Sequence, residues 1–283
     1  MRHFLETAFA PGLLFGIFYL GIFIVAVLLV PEPSQAAFHL AGLVAAVVAS
    51  RLAIRIADRG TWKLGFGGGL RRATRELTFG VALASALILL SHGLILLTTG
   101  LRHGIGGGID WGEILILFIP AAIHEEVLFR GYAFQKLVSW NRWGGVAVGS
   151  LVFGLLHLSN DGLTTLSILN LFMAGALLSL AYLVFERLWL PIGLHIWWNV
   201  LSGPLLGHEV SGLELDSSLL STYDPGPVLL TGGPFGIEGS LWTLLMEAIG
   251  ILFLLWLMHR RESGRSLVTP VEAGSPEPPL RAP

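Results

Sequence analysis

Apolar runs close to 20 residues long recur along this chain, and that is the length a helix needs to cross the hydrocarbon core of a bilayer. In lipid each backbone N–H and C=O has to be paired within its own segment, so such runs are confined to helices. Eight are read: Gly12–Val30, Ala36–Ile54, Phe79–Thr98, Trp111–Val138, Val146–Leu158, Leu166–Phe185, Leu190–Leu206 and Ser240–His259. The expected fold is all-α, a polytopic integral membrane protein with about eight transmembrane helices in one bundle. Of its 283 residues only 13% are charged, about half the share usual in a soluble domain, which excludes an ordinary soluble enzyme. A net charge of -2 argues against a nucleic-acid partner. With no cysteine, a disulfide framework, thiolate catalysis and Cys-ligated metals are excluded as well.

Positive loops stay in the cytoplasm, and the basic residues test the count of spans. Alternate loops and adjoining span ends hold Arg2, then a cluster from Arg51 to Arg75, then Lys136 and Arg142, then Arg187, then Arg260, Arg261, Arg265 and Arg281. Only Arg102 falls on the other side, and Arg130 lies inside a span. The long loop 203–239 carries no Lys or Arg but holds Glu209, Glu214, Asp216, Asp224 and Glu238. Both termini are therefore expected in the cytoplasm, in a cell membrane. Residues 1–110 form the first three spans and a basic loop, 111–259 the domain with the polar motifs, and 260–283 a disordered cytoplasmic tail rich in Pro, Gly and Ser. Ser34-Gln35-Ala36 loosely resembles a signal-cleavage site, but the apolar run before it is too long for one and reads as a retained span. The glycine-rich runs Gly65–Gly69 and Gly104–Gly108 lack the Lys-Ser/Thr ending of a phosphate loop and read as flexible connections.

An ionisable residue inside a span costs about 2.5–3.5 kcal/mol on insertion scales, so it has to be paired or functional. The fourth run contains His124-Glu125-Glu126-Val127-Leu128-Phe129-Arg130. Glu126 and Arg130, four apart, share a helix face and are read as an ion pair, while Glu125 points about 100° away and is left free. The fifth run supplies Phe153 and His157, and the seventh His195 and Asn199, again four apart. At 1.5 Å per residue, Glu125 and His157 each lie about 21 Å from the cytoplasmic edge, with His195 about 10 Å and Asn199 about 16 Å deep. Four polar side chains on three helices are thus expected to converge on a cavity within the membrane.

Glu-Glu-x-x-x-Arg at 125–130, Phe-x-x-x-His at 153–157 and His-x-x-x-Asn at 195–199 resemble, in order and spacing, the three motifs of the CAAX-processing and bacteriocin-processing (CPBP, or Abi) intramembrane proteases. That family includes the type II CAAX prenyl proteases. The resemblance covers mainly residues 111–203. It implies a peptide hydrolase in which Glu125 and His157 activate water and His195 and Asn199 form an oxyanion hole, with Glu126, Arg130 and Phe153 in support.

The residues themselves allow the same chemistry, since a carboxylate and an imidazole suit a general base and an amide with an imidazole suits an oxyanion. A metal remains the rival: Glu125, His157 and His195 are also three ligands of the kind a catalytic zinc takes. The metal-free version is preferred. His124-Glu125 begins like a zincin motif but Leu128 stands where the second His belongs. Ser91 beside His92 reads as helix packing rather than a dyad. Glu247, inside the eighth run, is read as structural, pairing with Arg130 or His92 or reaching the interface. Trp197 and Trp198 are either groove-lining or interfacial anchors. The expected partners are the bilayer and a membrane-associated peptide. A proton-coupled transporter is the rival from another class, disfavoured because the polar groups do not divide into two repeats.

Overall fold

The computed structural model describes residues 2–30 and 34–266. Its principal helices are α1 (Ala10–Leu28), α2 (Gln35–Ala57), α3 (Gly69–Thr99), α4 (Ile119–Phe129), α5 (Tyr132–Trp140), α6 (Arg142–Leu156), α7 (Thr165–Phe185), α8 (Trp189–Val200) and α9 (Leu241–Ser266). Single π turns extend three of them: Leu5–Phe9 leads into α1, Ile114–Phe118 into α4, and Leu201–Leu205 follows α8. The chain is all-α in its membrane part, and five helices are long and apolar enough to cross a bilayer: Leu5–Leu28, Gln35–Ala57, Gly69–Thr99, Thr165–Phe185 and Leu241–Ser263. α6 is a shorter apolar helix.

The fourth expected run, read as one helix to Val138, is broken at Arg130 and Gly131. Gly131 adopts ψ −143°, and a Cβ there would stand 1.9 Å from the carbonyl oxygen of Val127. The turn redirects the chain while Arg130 stays fully buried and reaches across to α7. At the other end, α9 continues to Ser266, with Glu262 paired to Arg142, so the tail expected to be disordered from 260 onward begins as helix. Its remainder, 267–283, lies outside the described residues. Gly104–Gly108 is not a free loop. β1 (Arg102–Ile105) pairs antiparallel with β2 (Leu220–Tyr223) from the acidic loop, Arg102 opposite Tyr223, and Gly106 and Gly108 extend the ladder to Leu219 and Ser218.

The core joins α3, α4 and α6–α9 through residues such as Leu87, Val127, Leu177, Leu190 and Leu254. α8 lies against α3 at one close crossing. A Cβ on Gly80 would stand 2.5 Å from the Leu190 carbonyl oxygen, and one on Gly193 would stand 2.5 Å from that of Leu77. Small residues let helix backbones approach where lipid offers no hydrophobic drive for association, and this crossing fixes the helix that carries His195. On the basic-loop side, buried Glu76 accepts from Arg187 at 2.5 Å, and Asp58 accepts from Lys136 and from Tyr132 (2.6 Å).

Candidate active site

A cavity of about 1090 Å³ opens among α1, α2, α4, α6, α7 and α8. Glu125, His157, His195 and Asn199 all line it. The Oε2 of Glu125 stands 3.7 Å from Nε2 of His157 and 3.8 Å from Nε2 of His195. Three helices thus deliver their polar groups to one point, as the spacing of the motifs anticipates. His157 sits just past the end of α6, at its C-cap, where the last helical turn leaves the ring free to swing inward.

Each imidazole is oriented by its other nitrogen. His157 Nδ1 donates to the carbonyl oxygen of Phe153 at 2.7 Å, and His195 Nδ1 to Oε1 of Glu126 at 2.8 Å. The Nε2 atoms then present lone pairs when the rings are neutral. Three acceptors (Glu125 Oε2 and two imidazole nitrogens) face one another.

Glu126 and Arg130 form the expected ion pair, Nη1 donating to Oε1 at 3.0 Å with both side chains fully buried. Arg130 Nη2 also donates to the carbonyl oxygen of Gly175 at 3.0 Å, and its guanidinium carbon lies 4.7 Å from the centre of the Phe153 ring. Glu126 therefore does more than the i,i+4 spacing implies, since the same oxygen that meets Arg130 also fixes His195. Phe153 likewise serves twice, through its ring under Arg130 and its carbonyl on His157. The Asn199 amide is bonded to no described side chain and lines the cavity beside His195.

Three groups of the cavity escape the motif reading. Tyr19 on α1 meets His124 Nε2 at 3.0 Å, and His39 on α2 meets His124 Nδ1 at 3.3 Å, so the wall facing the motif residues is polar too. His39 was findable by the same rule that singled out Glu125, being an ionisable residue inside a span. Glu238, from the acidic loop, reaches the cavity as well, and nothing in the sequence marks it. Glu247 is buried on α9 but pairs with neither Arg130 nor His92, and its Oε2 has no partner. Arg130 is engaged instead by Glu126 and Gly175, and His92 by His208 and His103. Ser91 bonds the Trp242 carbonyl rather than His92, consistent with packing. Trp197 donates to Ser85 at 2.7 Å and Trp198 to Glu238 at 2.8 Å, so both tryptophans are tied into the bundle.

Buried acid–base groups gathered in a membrane-embedded helical bundle define the class: a polytopic membrane protein with an intramembrane polar site. Residues 107–201 match the family described as type II CAAX prenyl endopeptidase Rce1-like, which agrees with the resemblance of the three motifs. The matched segment contains the whole constellation from Glu125 to Asn199. An uncharacterized 24.3 kDa protein of Escherichia coli is 36% identical over 86 residues, 29% of this chain. The chain spans about two fifths of the length of that relative. No solved structure matches the chain.

Proposed function

We propose that this protein is an intramembrane endopeptidase that hydrolyses peptide bonds of membrane-associated substrates of the CAAX or bacteriocin type. The observation that carries the proposal is the meeting of Glu125, His157 and His195 around one point of a buried cavity. A water there donates one hydrogen to Glu125 and the other to Nε2 of His157, two acceptors 3.7 Å apart. Its oxygen is thereby aimed away from both, toward the substrate carbonyl carbon. As the C–O bond forms, the proton passes to the Glu125–His157 pair, and from there to the amine when the C–N bond breaks.

The developing oxyanion is met by the Asn199 amide and by His195. Because Nδ1–H of His195 already serves Glu126, Nε2 donates only when the ring carries both protons. Glu126, hydrogen-bonded to that ring at 2.8 Å, fixes its orientation toward the cavity. This gives Glu126 a share in the chemistry through His195, although it never touches substrate.

Zinc is the second reading, and one observation favours it: both Nδ1 atoms are engaged, which is how metal-bound imidazoles are commonly oriented. Glu125, His157 and His195 would hold it, and it would acidify a bound water. Among the described residues, however, no three His, Asp or Glu are grouped closely enough to hold an ion as they stand. No step is routed through a metal. The test is Asn199→Asp assayed in single turnover with zinc measured on the same sample. Metal-free hydrolysis expects activity below that of Asn199→Ala, itself down about 10²–10³-fold, because a carboxylate repels the oxyanion. An active Asp variant with bound zinc would overturn the metal-free mechanism.

We further propose a cell-membrane location with both termini cytoplasmic, from the alternation of basic loops. A reporter after His259 should be cytoplasmic and one near Glu214 external, and finding both on one side would refute it.

A further inference from the structure

The two histidines of the site sit on different helices, and no backbone ladder joins α6 to α8 at that level. What joins them is a chain of side-chain bonds running through the acidic loop. Trp198, adjacent to Asn199 and three residues after His195, donates its indole N–H to Oε1 of Glu238 at 2.8 Å. The other oxygen, Oε2, accepts from the backbone N–H of Ser211 at 2.5 Å and from its hydroxyl at 2.7 Å. The carbonyl of Ser211 in turn accepts from Asn160 Nδ2 at 2.9 Å, and Asn160 lies three residues after His157. Glu238 is itself anchored, its carbonyl oxygen accepting from Asn170 on α7 at 2.5 Å.

Ser211 has φ +50°, a left-handed conformation unfavourable for a residue with a side chain. Such a conformation persists only where the surroundings over-determine it, and here Glu238 and Asn160 hold Ser211 at its N–H, hydroxyl and carbonyl. Residues 210–213 also line the cavity, so the same strap closes its end beneath the acidic loop.

We propose that Glu238 is a positioning residue of the site: through Trp198 and Ser211 its carboxylate locks the helix bearing His195 and Asn199 to the segment following His157, and holds the strap closed over the cavity. The inference rests on the protease reading for its kinetic part. Three donors converge on this side chain and no acceptor does, so a carboxylate is required. The amide of Gln offers one accepting oxygen, and its NH₂ must then face either the Trp198 or the Ser211 donor.

The chain contains no cysteine, so a single Ala174→Cys on the cavity wall gives a unique label for a membrane-impermeant maleimide added on the acidic-loop side. Combined with Glu238→Gln, it should label about tenfold faster than in the otherwise wild-type protein. In the cleavage assay Glu238→Gln should lose about tenfold or more in kcat with KM little changed, as expected for misplaced groups that act in the transition state. Trp198→Phe removes only the α8 arm. It should reproduce the kcat loss without the faster labelling, and the double variant should be no worse in kcat than Glu238→Gln. Trp198→Phe also keeps the test alive should Glu238→Gln fold poorly. Unchanged labelling and kcat in Glu238→Gln would overturn the proposal, as would additive kcat losses. Labelling needs no turnover. Faster labelling in a protein that cleaves no peptide would therefore sink the protease reading while leaving the clasp in place.

Discussion

Two clusters of imidazoles, one in the cavity and one beneath the acidic loop, contain nearly the same chemical groups in opposite states of completion. In the loop cluster Thr222 donates its hydroxyl to the Leu206 carbonyl at 2.5 Å, so it can only accept from His103 Nδ1 at 3.0 Å. His103 Nε2 is then an acceptor for His92 Nε2 at 3.0 Å, and His92 Nδ1 an acceptor for His208 Nε2 at 2.9 Å. One proton per ring satisfies each of these contacts, and the chain of three neutral imidazoles is closed. In the cavity, Glu125, His157 and His195 are brought together with Nδ1 of each ring engaged and Nε2 of each left facing the Glu125 carboxylate. A satisfied cluster stabilises a fold. A carboxylate and two imidazole nitrogens left without hydrogen-bond partners in a cavity are open to whatever enters it.

The sharpest way to break the comparison is to remove a base from each cluster. Glu125→Gln is nearly isosteric and should reduce turnover by about 10²–10⁴-fold, the share of a general base, while leaving folded yield intact. His92→Gln should leave kcat within about twofold and lower thermal stability instead. Comparable activity losses in both, measured on detergent-purified protein with matched folded fractions, would erase the distinction. Glu126→Gln, next in size, tests the support beneath the cavity. It leaves Arg130 buried without its counter-charge, a loss of about 3–5 kcal/mol for buried pairs, and withdraws the acceptor from His195. Folded yield and activity should fall together, in contrast to Glu125→Gln. Equal yields for the two adjacent variants would show that Glu126 is not the structural partner.

How far the sequence reveals this molecule follows from where side-chain identity is costly. Inside lipid each ionisable group has to be accounted for, so Glu125, Glu126, Arg130, His157 and His195 stand out against an apolar background, and helical spacing is enough to pair Glu126 with Arg130. Helix ends and breaks are less legible. The break at Gly131 depends on a backbone contact with Val127, and the brevity of α8 on a π turn at Leu201–Leu205. Outside the apolar spans polar residues carry no such cost, and the loop 203–239 gives no sign that Glu238 turns inward or that Leu220–Tyr223 pairs with a glycine-rich run more than a hundred residues earlier. His39 and His124 show a third case: each falls within an apolar run, but three-body contacts such as Tyr19–His124–His39 depend on which helices are neighbours.

The smallest expected effect sharpens the comparison from the loop side. His208 lies past the π turn that ends α8, buried beside His92 and His103, and its pKa is lowered from 6.5 to about 3, first by burial and then by those two imidazoles. Since the unfolded chain binds a proton at His208 near pH 6.5 and the folded chain does not until about pH 3, the folded state loses stability as pH falls through that window and regains none below it. The stability is fully present above about pH 6.5. Thermal melts of the purified protein should therefore shift downward from pH 7 to pH 4. His208→Gln should flatten that slope relative to the wild type, although its amide keeps a donor for His92. Carboxylates that titrate in the same range contribute equally to both proteins, so the difference between the two slopes is the quantity that reports on the imidazole chain. Parallel slopes would mean that His208 is not the buried neutral end of that chain.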